Sequence, residues 1–334
     1  MKLLITGGAG FIGSNFIKYV LRKYNHYSIV NLDLLTYAGN LENLDAVKSS
    51  PNYKFVKGDV ADESLIKEII KDADGVINFA AESHVDRSIE GPSVFMRTNV
   101  IGTQVLLEAS RENKVQRFIQ ISTDEVYGTL GEKGYFSENS PLLPNSPYSA
   151  SKAGADLIVR GYFKTYKFPA IITRCSNNYG PCQFPEKFIS LLITNAFENK
   201  ELPIYGDGLN VRDWIHVEDH CEAIDTVLHK GREGEVYNIG GNCEKRNIDI
   251  AKLILKKMGK SDSLIKFVKD RPGHDRRYAI DSSKIKNELG WGARYNFEEG
   301  IAETIKWYEE NRNWWIKIKS GEYLNYYERM YKNR

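Results

Sequence analysis

Asp124 and Glu125 stand side by side in the stretch STDEVYG, directly after the mostly apolar run FIQI. Two carboxyls this close tend to share a proton rather than both ionise, so the pair can offer one acid and one base. A second pair lies in PYSASK, where Tyr148 and Lys152 are four apart and so fall on one face of a helix. An ammonium beside a phenol stabilises phenolate and lowers a pKa that is about 10 when unperturbed. Tyr148 is then expected to accept a hydroxyl proton while hydride leaves the same carbon. Taken alone, such a pair is more often a surface Tyr beside a solvated Lys, and Asp124 alone a helix cap beside a solvated Glu125. What changes the balance is a place for the hydride to go.

GGAGFIG supplies it. The stretch satisfies both Gly7-x-x-Gly10-x-x-Gly13 and Gly8-x-Gly10-x-x-Gly13 directly after the strand-like KLLIT. Side chains are absent where backbone and pyrophosphate must meet, and the following helix turns its unpaired N–H groups to that anion. Twenty residues after Gly13 comes Asp33, at the end of the next strand. Its carboxylate suits a ribose hydroxyl and repels a 2′-phosphate, which favours NAD over NADP. Asp59 and Val60, ending a third strand, are candidates for the adenine edge.

These residues need a scaffold, and the first half of the chain describes one. KLLIT, YSIVNLD, YKFVKGD, GVINFA, RFIQIST and AIITRC read as buried strands. Helical stretches over Phe11 to Tyr24, Ser64 to Lys71, Val100 to Asn113 and Tyr148 to Tyr166 alternate with them. Such alternation predicts an α/β fold with a doubly wound parallel Rossmann sheet and its site at the carboxyl ends of the strands. After Cys175 the rhythm loosens. A helix is expected over Val217 to His229 and another over Ile248 to Met258, with a β-rich piece from Ile265 to Asp281 and an aromatic, charged tail from Phe297 onward. EVYNIGG could rejoin the first sheet. The expected division is an NAD-binding domain over 1–177, rejoined by about 211–242, and a smaller mixed α/β lobe for the substrate over 178–210 and 243–334.

Composition narrows the partners. The 334 residues are 42% hydrophobic and 27% charged, an ordinary globular balance. With 46 basic and 44 acidic residues the net charge is +2, so no nucleic acid or anionic membrane surface is expected as a partner. No apolar run approaches the roughly 20 residues of a membrane helix, and the beginning MKLLITGGAG is too short for a secretory signal, so a cytoplasmic protein is expected. Cys175, Cys182, Cys221 and Cys243 lack CxxC or metal-type spacing and read as free thiols. His216 and His220 are four apart in HVEDH, but Val217 stands where a zinc-protease helix carries Glu, so no metal is expected.

Together with the glycines and YxxxK, the stretches TYAGNLENL, AAESHVDRSI, STDEVYG, RCSNNYGP, FPEKFI, VRDWIHVEDH and RPGHDRRYAID give the chain a close resemblance, almost end to end, to the extended short-chain dehydrogenase/reductase family, and within it to the dehydratases of nucleotide-activated glucose. Epimerases and decarboxylases of that fold usually carry a Ser or Ala pair at the place of Asp124 and Glu125. The resemblance implies oxidation at C4 of the hexose assisted by Thr123 and Tyr148, loss of the C5 proton to Glu125, protonation of the departing C6 hydroxyl by Asp124, and hydride return to C6. It implies thymine as the base, hence dTDP-glucose as substrate, and a homodimer formed through the helices near Val100 to Asn113 and Tyr148 to Tyr166.

Residue by residue, the resemblance adds Phe11, Ile12, Thr36, Ala80, Ala81, Ser83 and Thr98 to the NAD site. Ser83, His84 and Ser88 would line the sugar pocket with Thr123, and Lys187 and Phe188 would follow the diphosphate path. Arg212 and Arg271 are the preferred phosphate partners, since a guanidinium fork meets such oxygens bidentately. Asn177, Asn247, His274 and Tyr278 would lie nearby, with Pro203 and Tyr205 against the base. One departure is Cys182, where Tyr is expected in YGPCQFPEK.

Overall fold

A computed structural model describes residues 1–320. In chain order the strands are β1 (Lys2–Thr6), β2 (Ser28–Asp33), β3 (Tyr53–Lys57), β4 (Gly75–Asn78), β5 (Arg117–Thr123), β6 (Ala170–Cys175), β7 (Asn177–Tyr179), β8 (Leu202–Tyr205), β9 (Val211–His216), β10 (Val236–Ile239), β11 (Glu244–Arg246) and β12 (Ile265–Val268). The helices are α1 (Phe11–Lys23), α2 (Glu63–Ile69), α3 (Val85–Glu90), α4 (Pro92–Phe95), α5 (Gly102–Glu112), α6 (Pro147–Tyr166), α7 (Phe188–Phe197), α8 (Val217–Lys230), α9 (Asn247–Lys257), α10 (Ser283–Leu289), α11 (Phe297–Glu310) and α12 (Arg312–Lys319). The tail beyond residue 320 lies outside the described residues.

Seven parallel strands form one sheet in the order β10-β6-β5-β4-β1-β2-β3. Alternation along β1 shows why both faces must be covered. Leu3 and Ile5 pack with Phe16, Ile17 and Val20 of α1 and with Ile224 of α8, while Leu4 enters the opposite core with Val76, Val105 and Leu106. A strand apolar on both faces is stable only between two helical layers. Truncating a fully buried side chain such as Ile5 to Ala costs about 2–5 kcal/mol. The order reverses between β1 and β4, so their carboxyl ends flank a crevice.

EVYNIGG does rejoin the sheet, as β10 beside β6. The strand at 211–216 does not; β9 pairs with β7 and β11 in a separate three-stranded sheet. A two-stranded sheet of β8 and β12 lies beside a second core that holds Leu192, Ile204, Trp214, Ile254 and Trp315. The segment expected to be β-rich over 265–281 is a strand only as far as Val268; beyond it Arg277 and Ile280 make single bridges to Val211 and Phe136.

Two local features position the site. Ser146 caps α6 in a reciprocal box with Ser149, and Pro147 occupies the first turn, so Tyr148 enters the helix at a fixed angle. The helix expected from Val100 is preceded by a π-helical turn over Met96–Ile101. That turn faces Asn99 inward, where Oδ1 accepts from the backbone N–H of Glu82 at 2.9 Å and Nδ2 donates to Ser151 Oγ at 2.8 Å. One side chain thus holds the loop after β4 against α6.

Candidate active site

The glycine loop leaves no room for side chains. Gly7 has φ +68°, and a Cβ there would stand 2.6 Å from the backbone nitrogen of Ala80; one on Gly13 would stand 2.4 Å from the Gly7 carbonyl. Such a cradle at a helix N-terminus fits a pyrophosphate. Asp33 fixes the loop, with Oδ2 accepting from Ala9 N at 2.9 Å and Oδ1 from Leu35 N at 2.8 Å. A carboxylate has about four lone-pair sites, so two stay available to hydroxyl donors. The residues expected at the cofactor, from Gly7, Gly10, Phe11, Ile12 and Gly13 through Asp33, Thr36, Asp59, Val60, Ala80, Ala81, Ser83 and Thr98 to Tyr148 and Lys152, border one cleft. Asp59 turns partly aside, with Oδ2 2.9 Å from an Arg97 nitrogen.

At the far end of that cleft β5 runs into a single 3₁₀ turn, Asp124–Tyr127, closed by Gly128 at φ +85°. Thr123 caps the turn; its Oγ1 accepts from Glu125 N and donates to Asp124 Oδ1, each at 3.3 Å. Asp124 is 1% exposed, and its Oδ2 has no hydrogen-bond partner among the described residues. Burial, then the charge of Glu125, pushes the Asp124 carboxyl well above the usual range. Burial also raises Glu125, but Arg271, Arg212 and Lys187 pull it back. Burial raises both carboxyls, but Asp124 is driven well above its usual range while three cations act against the rise at Glu125, so Asp124 is the better placed of the two to serve as acid and Glu125 as base, a division of labour suited to elimination.

Tyr148 differs from expectation. Burial, then the Glu125 charge, holds its phenol well above the ordinary range, with only a hydrogen bond from Thr123 acting downward. Lys152, expected to lower it, donates instead to the carbonyl of Ile121 at 2.6 Å. The carboxyl end of β5, beyond its last pairing with β4 at Gln120, offers a buried carbonyl within reach of the ammonium, and that bond is strong in a dry site.

Around the acids the cations converge. Lys187 donates to the Ser83 carbonyl at 2.7 Å, and the Arg212 guanidinium carbon sits over the Tyr278 ring, 4.2 Å from its centre, with Nη1 on the Val211 carbonyl and Nη2 on the Asp275 carbonyl, both at 2.8 Å. Tyr278 in turn donates to Asp275. Arg271 Nη1 stands 3.8 Å from Asp86, and its buried Nε has no hydrogen-bond partner among the described residues. Tyr205 donates to the other oxygen of Asp86 at 3.1 Å and packs edge-on to His274 at 6.0 Å. His274 is bonded through Nδ1 to Asp270 at 2.6 Å. Burial holds the neighbouring His84 neutral. Asn177 borders the cleft with a buried Oδ1 that has no hydrogen-bond partner among the described residues.

Other candidates stand farther back. Ser88 donates its hydroxyl to Val85 within α3, Phe188 stacks on Trp214 at 6.2 Å, Pro203 lies on β8, and the backbone N–H of Asn247 donates to the Asn210 carbonyl. Cys182 sits at φ +67° in the second core, with the Lys18 ammonium 3.4 Å from its sulfur. Sequence reasoning passed over Asp86, Asn99 and Asn178. Each lies inside or beside a motif already noted, but its partner is far away along the chain.

The comparisons agree with this geometry. A family model described as GDP-mannose 4,6 dehydratase matches residues 4–304. A dTDP-glucose 4,6-dehydratase of Xanthomonas campestris pv. campestris is 52% identical, the match covering 96% of each chain. A crystal structure of dTDP-glucose 4,6-dehydratase from Bacillus anthracis in complex with NAD is 55% identical with a TM-score of 0.90, covering 96% of this chain and 100% of that one. Another, from Streptomyces venezuelae, also with NAD bound, is 50% identical with a TM-score of 0.94 over the same shares. The chain belongs to the nucleotide-sugar 4,6-dehydratases of the extended short-chain dehydrogenase/reductase family.

Proposed function

We propose that the protein converts dTDP-glucose to dTDP-4-keto-6-deoxyglucose by an NAD-dependent dehydration. The observation that carries this is the acid pair at the end of β5, one carboxyl driven toward its protonated form and the other held ionisable by three cations. When bound, NAD accepts the C4 hydrogen with its electron pair and returns it at C6. Tyr148, with Thr123, takes the C4 hydroxyl proton once its phenol has given up its own. The resulting ketone acidifies C5, and Glu125 removes that proton. Asp124 gives its proton to the C6 hydroxyl, which leaves as water, and Glu125 returns a proton to C5 as hydride reaches C6. Epimerisation or decarboxylation, the alternative on this fold, has no use for the two acids. The relatives named above support the same substrate and cofactor. The test is incubation with a panel of nucleotide-activated glucoses followed by mass analysis: only the thymidine form should give a product one water lighter.

Lys187, Arg212 and Arg271 hold the diphosphate, and Pro203 and Tyr205 face the base. Arg212→Ala should raise KM roughly ten- to hundredfold while lowering kcat less, the loss typical of a charge-assisted bond. An unchanged KM would remove Arg212 from the site. The large sheet and its helices serve as the NAD lobe, and β8, β12, α7, α9 and α11 as the sugar-nucleotide lobe.

The assembly is a homodimer through α5 and α6. The support is a run of exposed apolar side chains on and near these helices: Val94 at 45%, Met96 at 42%, Ile101 at 50% and Leu157 at 58%. Isolated exposed apolar residues are ordinary, but a group on neighbouring turns marks an interface. Light scattering at micromolar concentration should give twice the chain mass, and Ile101→Glu with Leu157→Glu should halve it; a monomeric wild type would rule the dimer out. A cytoplasmic location suits four cysteines that are all free, three of them buried. Among the described residues no helix is long and apolar enough to cross a membrane.

A further inference from the structure

The histidines of HVEDH have no part in the chemistry above, yet His220 is fully buried in the first turns of α8. Its Nδ1 lies 2.8 Å from Oδ1 of Asn178 on β7. Asn178 donates its amide N–H to the Ser176 carbonyl at 3.0 Å. A carbonyl only accepts, so the amide nitrogen faces Ser176 and the amide oxygen faces His220. That oxygen also only accepts, so the imidazole proton lies on Nδ1 and the lone pair on Nε2. Nε2 is buried with no hydrogen-bond partner among the described residues, and burial pushes the ring down to about 3, so it stays neutral. Flipping the Asn178 amide would set its oxygen against the Ser176 carbonyl oxygen, which fixes the orientation.

Asn178 borders the same cleft as Thr123, Tyr148 and Lys152 and lies against Cys175, the last residue of β6. Its backbone is already held, because its carbonyl accepts from Gln183 Nε2 at 2.8 Å. What His220 adds is the direction of the side chain. An amide nitrogen carries two hydrogens: Ser176 takes one, and the other lies toward the Cys175 sulfur, a weak acceptor that a carbonyl oxygen can displace. We infer that His220 is a positioning residue: by holding the oxygen of Asn178 it presents the second amide N–H of Asn178 to the carboxamide oxygen of the nicotinamide ring. This rests on the proposed NAD site and concerns only its nicotinamide end.

Affinities of the full chain for NAD and for ADP-ribose separate that end from the rest, since ADP-ribose keeps the adenosine, pyrophosphate and second ribose but lacks nicotinamide. His220→Phe, which keeps a ring but loses the donor, should weaken NAD binding about tenfold and leave ADP-ribose unchanged. His220→Asn, whose amide nitrogen falls near the place of Nδ1, should restore most of the loss. His220→Gln puts its nitrogen near the place of Nε2 and serves as a second donorless variant should Phe not fold. Equal weakening of both ligands, or no change in NAD binding, would overturn the inference alone. Wild-type protein that binds NAD no better than ADP-ribose would overturn the nicotinamide site itself, and this role with it.

Discussion

Glu125→Gln is expected to lower turnover by about 10² to 10⁴, the usual effect of a lost general base. Gln is nearly the same size and keeps a carbonyl oxygen, so the 3₁₀ turn that Thr123 caps should survive. What disappears is the one carboxylate at the reacting end that Arg271, Arg212 and Lys187 hold toward its ionised form. Thr123, Tyr148 and Lys152 remain in place for the oxidation at C4. Chemistry should therefore stop after the first step, with the absorbance of reduced dinucleotide rising on mixing and not decaying. In heavy water no deuterium should enter C5. Burial raises Glu125 above its ordinary value, so wild-type turnover should also fall as pH is lowered through that raised pKa, and this acid limb should be absent from Glu125→Gln. Normal turnover in the variant would show that Glu125 is not the base.

Asp124→Asn separates the two acids. Asn cannot give a proton to the departing C6 hydroxyl, so turnover should again fall by about 10² to 10⁴. Exchange at C5 should nevertheless continue, because Glu125 and the C4 ketone are both still available. Wild-type Asp124 is held well above the usual carboxyl range by burial and by Glu125. Its acid form should therefore persist to a higher pH than that of an ordinary carboxyl, and turnover should fall as pH rises through that raised pKa. Loss of C5 exchange equal to that in Glu125→Gln would mean that the pair works as one base and that elimination has another acid.

Much of this was legible because the signals are local. Gly7 to Gly13 and Asp33 are readable since a β-α-β unit brings residues 20 apart to one place by its own geometry. Tyr148 and Lys152 are readable because four residues make about one helical turn, although helical spacing says which face they share and not what they touch. That is why Lys152 was expected beside the phenol and is found on the Ile121 carbonyl. The π-helical turn at Met96–Ile101 has no hydrophobic period of its own, so Asn99, just before the helix expected from Val100, gave no signal. Asp86, facing Tyr205 and Arg271 from more than a hundred positions away, and His220, bonded to Asn178 across two elements, depend on tertiary packing that no local pattern encodes. The β-rich piece expected over 265–281 stops pairing at Val268, a few residues before Pro272 and Gly273, the latter at φ +63°, turn the chain away.

The most direct test of the proposed chemistry follows every hydrogen in one turnover. dTDP-glucose carrying deuterium at C4 is converted by the wild-type protein in ordinary water, and unlabelled substrate is converted in heavy water. The expected product is one water lighter, carries the C4 deuterium at C6 in the first experiment, and carries solvent deuterium at C5 in the second. A product of unchanged mass, a C4 label lost to solvent, or a C5 position that keeps its original hydrogen would contradict an elimination run by Asp124 and Glu125 between two transfers of the same hydride.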